Sequence, residues 1–101
     1  MASRLNLHEE LCEKLGSRNV YYQPPSTIRM KFPAIVYFRK NIENVHANDG
    51  VYGQRDSYEI TVIDEDPESE VVRAISTMSC CSYDRHFTSD NLHHDVFTLY
   101  Y

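Results

Sequence analysis

Tryptophan is absent from the chain, cysteine occurs three times, and lysine and arginine are outnumbered by acids ten to fifteen, for a net charge of -5. The shortage of positive charge argues against a protein that binds duplex DNA, because affinity for phosphate comes mostly from Lys and Arg. Three cysteines, of which Cys80 and Cys81 are adjacent, make no disulfide framework and fit a reducing cytoplasm. No apolar run approaches the roughly 20 residues that span a bilayer, so no membrane association is expected. The opening MASRLNLHEE carries charge too early to be expected to act as a signal peptide. No P-loop, G-x-G-x-x-G, G-x-S-x-G or H-E-x-x-H pattern occurs, nor any repeat or low-complexity tract.

Present instead are eight tyrosines, several of them in stretches that read as strands. Tyrosine combines apolar area with a polar tip, which suits half-buried strands and contact surfaces between subunits. A chain of 101 residues is expected to make one domain, 1–101, with a small core.

The stretch Ser57–Met78 organises the reading. Tyr58, Ile60 and Val62 alternate with Glu59 and Thr61, the period-two signature of a strand with one dry face. Asp66 is read as the cap of a following helix with Pro67 in its first position, and Val71, Ile75 and Met78, with Val72 beside them, form its apolar stripe. Upstream, Leu7, Leu11 and Leu15 predict a helix over 5–15, capped by Ser3 and ended by Gly16. Asn19–Gln23 reads as a short edge strand stopped by Pro24-Pro25, and 26–32 as an extended connector. AIVYFRK from Ala34 is β-branched and aromatic, and fades into the turn sequence Asn48-Asp49-Gly50. The two long strands predict a protruding hairpin whose far half, 43–54, is too polar for the core. Ser79–Thr88, anchored by Tyr83 and Phe87, and Leu92–Tyr101, joined by Ser89-Asp90-Asn91, predict a second hairpin. The expected class is α+β: an antiparallel or mixed β-sheet with two helices packed on one face. Its candidate core is Leu7, Leu11, Leu15, Val36, Tyr58, Ile60, Val62, Val71, Ile75, Met78 and Phe97.

Several clusters invite chemistry and have a plainer account. His93 and His94 are neighbours on a strand and point to opposite faces, so they do not readily share one ion. Adjacent Cys80 and Cys81 have poor bite geometry for zinc and read as small hydrophobes. Asp64, Glu65, Asp66, Glu68 and Glu70 lack the alternating ligands and central glycine of a calcium loop, and helix capping accounts for them. No catalytic residue, metal site or cofactor is assigned, and an enzyme is not expected.

Five segments resemble the small neck and tail-completion proteins of long-tailed bacteriophages, the tail-terminator group most nearly. They are VYYQPP (20–25), MKFPAIVYFR (30–39), AND followed by Tyr52 (47–52), YEITVIDEDP (58–67) and DNLHHDVFTLYY (90–101). The resemblance implies a virion protein, made in the host cytoplasm, that forms a homo-hexameric ring on the tail tube. Such a ring ends tube polymerisation and joins the tail to the head connector or stopper protein. DNA would pass its lumen without specific binding, which an acidic surplus suits. A head-completion protein of the neck and a small non-viral binding module are the alternatives. Under the ring reading, Asn44, His46, Asn48, Asp49, Val51 and Tyr52 at the hairpin tip, with Arg39 and Arg55, are the candidate interface between subunits or rings.

Overall fold

Leucines spaced at i and i+4 have to be covered, and in the first element they are. A computed structural model describes residues 4–24, 31–47, 50–78 and 80–101, and for 43–47 and 50–55 the backbone alone. Helix α1 (Arg4–Leu15) buries Leu7, Leu11 and Cys12. Full burial of each leucine contributes about 1.5–3 kcal/mol, which is what docks a helix too short to stand alone. Gly16, at φ +80°, ends it, donating its N–H to the Cys12 carbonyl at 2.9 Å. The expected cap Ser3 lies outside the described residues.

The strands β1 (Val20–Tyr22), β2 (Ala34–Ala47), β3 (Gly50–Asp64), β4 (Cys81–Ser89) and β5 (Leu92–Tyr100) form one sheet in the order β1-β2-β3-β5-β4. Only β1 runs parallel to its neighbour, so the sheet is mixed. The last strand in sequence enters between β3 and β4 and leaves β4 at the edge. Pairing of β2 with β3 runs from Ala34↔Ile63 to Ala47↔Gly50, with irregularities at Lys40 and between Val45 and His46. Over that length β1 reaches only Tyr37 and β5 only Ser57.

Strand alternation divides the sheet into two faces. Val20, Ile35, Tyr37, Tyr58, Ile60, Val62, Phe97 and Leu99 share one face and form a single core with Leu7, Leu11, Cys12 and Ile75 of the helices. Both helices therefore cover the same face, and the class is α+β. Leu15, Val71, Val72 and Met78 pack partly buried against this core. Val36, expected within it, lies half-buried on the opposite face, because it alternates with Ile35 and Tyr37.

Helix α2 (Glu70–Ser76) starts later than expected, and its cap is Ser69, whose Oγ accepts the Val71 N–H at 3.3 Å. Asp66 Oδ1 instead accepts the Glu68 N–H at 2.9 Å, an Asx turn that keeps Pro67 and Glu68 outside the helix. Tyr83 and Phe87 are not buried anchors. They are 53% and 41% exposed, because among the described residues no strand pairs with β4 on its outer side. The β4–β5 turn is built by Asp90 (φ 52°) and Asn91 (φ 62°), the left-handed pair a two-residue hairpin loop requires. Among the described residues, no helix is long and apolar enough to cross a membrane.

Candidate functional site

Three places gather polar side chains against the fold. Where α1 crosses β1 and β2, Arg4 and His8, one turn apart, both reach the hydroxyl of buried Tyr37. Arg4 can only donate, so the hydroxyl accepts from it at 3.3 Å, and the same hydroxyl is hydrogen-bonded to His8 Nδ1 at 2.8 Å. Burial, and then the Arg4 charge, hold the His8 pKa below the ordinary 6.5. Burial raises that of Tyr37. The Arg4 guanidinium also lies 4.3 Å from the Tyr22 ring centre, and the Tyr22 and Tyr37 rings stand 4.9 Å apart. With the Tyr37 hydroxyl bonded to two side chains of α1, this is a clasp between helix and sheet.

The second place is a groove of about 710 Å³ between the start of α2 and the edge of the sheet, lined among others by Glu68, Glu70, Arg73, Tyr83 and Asp95. Asp95 is 9% exposed and accepts the Tyr83 hydroxyl at 2.8 Å, which satisfies a carboxylate that burial would otherwise penalise. Glu68 and Glu70 stand on the exposed rim.

The third place is the outer edge. His94 lies flat against Phe87, with ring centres 4.6 Å apart, and donates from Nδ1 to the Leu92 carbonyl at 3.1 Å. His93 points to the other face, as expected, and meets His86 of β4. Arg85 ties the edge inward, 2.7 Å from Asp84 and 3.9 Å from Glu59 of β3. Cys81 is half-buried against the core and burial raises its thiol pKa, whereas Cys80 is exposed.

Of the candidate interface residues, Arg39 is exposed, 3.5 Å from Asp56 across the ladder, with its guanidinium 6.0 Å from the Tyr58 ring centre. The backbone register brings Asn44 opposite Gln54, Glu43 opposite Arg55 and His46 opposite Val51, with Tyr52 on the same stretch of β3. Of the side chains at Asn44, His46, Val51, Tyr52 and Arg55 nothing is described, and Asn48 and Asp49 lie outside the described residues. Sequence reasoning did not single out Arg4, His8, Tyr37 or His86. The i, i+4 spacing of Arg4 and His8 was visible, but their shared partner stands 29 residues beyond His8. Among the described residues, no three His, Cys, Asp or Glu side chains are grouped to hold a metal ion. No protein-family model and no curated protein matches the chain.

Proposed function

We propose that the protein is a structural component of a long-tailed bacteriophage virion, a homo-hexameric ring that caps the tail tube, ends its polymerisation and joins the tail to the head connector or stopper. It acts by blocking and joining through surface complementarity, without catalysis. The five segments that resemble tail terminators support this reading, and one structural observation carries it. Large apolar side chains stay exposed along strands at both sides of the sheet, one on each face at either side: Phe38 (37%) and Ile42 (47%) on β2, beyond the reach of β1, and Tyr83 (53%) and Phe87 (41%) on β4. A closed ring needs two different, mutually complementary patches on each subunit, because its contacts are head-to-tail. A self-paired dimer needs one.

The test is capping. Tail-tube subunits polymerising in vitro are mixed with a small fraction of this protein, and tube length and tube ends are measured by negative-stain electron microscopy. Wild type is expected to shorten the tubes and leave a ring on one end. The pair Phe38→Ser and Ile42→Ser, made at exposed positions, leaves the fold intact and abolishes capping. Tubes of unchanged length with bare ends in the presence of wild type reject the proposal.

A further inference from the structure

We propose that His86 and His93 form a binding site for a divalent transition-metal ion of zinc's character, placed on the open edge of the sheet. The inference is independent of the ring. His86 sits directly across from Asp95, and His93 across from Thr88, so the two histidines are diagonal neighbours on adjacent antiparallel strands. Their rings are nearly parallel, at 21°, and His93 Nδ1 stands 3.4 Å from His86 Nε2. Two imidazole nitrogens bound to one zinc at 2.0–2.1 Å with a tetrahedral angle are separated by about 3.3–3.4 Å. The nitrogens already stand at the edge length of that tetrahedron.

The hairpin register is what brings the two rings to one face. Tyr83 pairs with Phe97 and Arg85 with Val96, so Asp84 is an extra residue in β4. The register from the Asp90-Asn91 turn, Ser89 opposite Leu92 through His86 opposite Asp95, runs unbroken up to that bulge and puts His86 on the face that His93 occupies. The bulge re-aims instead the far half of β4, bringing Tyr83 opposite Phe97 and Cys81 opposite Leu99. Asp64 stands directly across from His93 on β3, and Asp95 directly across from His86. Both carboxylates place negative potential beside the pair, although Asp64 Oδ1 accepts the Asp66 N–H and Asp95 the Tyr83 hydroxyl.

In the metal-free pair, one imidazole donates its N–H to the other. To bind the ion both facing nitrogens must offer lone pairs, so the proton of the donor ring moves through solvent to that ring's other nitrogen. Each ring stays neutral, and no net proton is released when both rings begin neutral. A turn of each ring by about 35° aims the lone pairs at a common point, and water completes the coordination. The ion then clips β4, the edge strand, to β5.

Zinc titration of the purified protein near neutral pH, followed by calorimetry and by NMR of the histidine ring nitrogens, tests the site. Wild type is expected to take up one zinc, with the His86 and His93 rings shifting together and the thermal midpoint rising with zinc concentration. His86→Gln and His93→Gln should each weaken binding by roughly a hundredfold, since each removes one arm of a chelate. His94→Gln should bind as wild type does. The unfolding midpoint of each variant without metal verifies that the fold is retained. Wild type that takes up no zinc at millimolar concentration overturns the proposal, as do single variants that bind as tightly as wild type.

Discussion

Tyr37 shows how much one side chain decides here. It lies on the core face of β2, yet its hydroxyl is a hub for Arg4 and His8, so α1 is held by directed bonds as well as by Leu7 and Leu11. The sign of the pH effect follows from His8. Its folded pKa is lowered below 6.5, so the unfolded chain binds that proton more readily. The His8 contribution is complete above about pH 6.5 and is lost as pH falls from there through the folded value. The thermal midpoint is therefore expected to fall between about pH 7.5 and 5.5, and His8→Gln, which does not titrate, should flatten that dependence. An equally steep slope in the variant would assign the effect elsewhere. Glu9, whose pKa Arg18 lowers from 4.5, contributes its change only at more acid pH and does not confuse the comparison.

At the scale of elements, α2 is the test of how caps are chosen. Asp66-Pro67 has the residue types of a helix start, but the Asp66 side chain is spent on its own turn, and buried Ser69 takes the role. Ser69→Ala should cost about 1 kcal/mol, or about 4–8 °C in Tm for a domain of this size, whereas Asp66→Ala should change stability by less than about 0.5 kcal/mol. Denaturant or thermal unfolding of the two variants checks the ranking, and the reverse order would return the cap to Asp66. Asp90-Asn91, by contrast, was legible as a turn because those residue types tolerate positive φ. The bulge at Asp84 was not legible, since its effect appears only when β4 is laid against β5.

The whole molecule is a one-sided sheet, with both helices on one face and its longest ladder, β2 with β3, continuing past the reach of β1 and β5. Its principal extents are 51 × 25 × 23 Å, long in one direction for a chain of 101 residues. If the two sheet margins carrying these side chains meet head-to-tail, mixing two defective proteins has a distinctive outcome. A subunit carrying Phe38→Ser and Ile42→Ser keeps the β4 patch, and one carrying Tyr83→Ser and Phe87→Ser keeps the β2 patch. At tube ends each alone should fail to assemble, and the mixture should stop at pairs, as read by mass photometry of the released species or by imaging. Closed rings from either variant alone would show that these patches are not the subunit contact.

Local rules wrote the elements into the sequence: period two marked Tyr58, Ile60 and Val62, leucines four apart marked α1, and Gly16 marked its end, because each signal is complete within a few neighbouring residues. The order of strands, the face taken by Val36 and the exposure of Tyr83 and Phe87 were decided only by the tertiary structure. So was the meeting of His86 with His93. Each of these depends on which strand pairs with which, and that is set by burying one shared face between residues far apart along the chain.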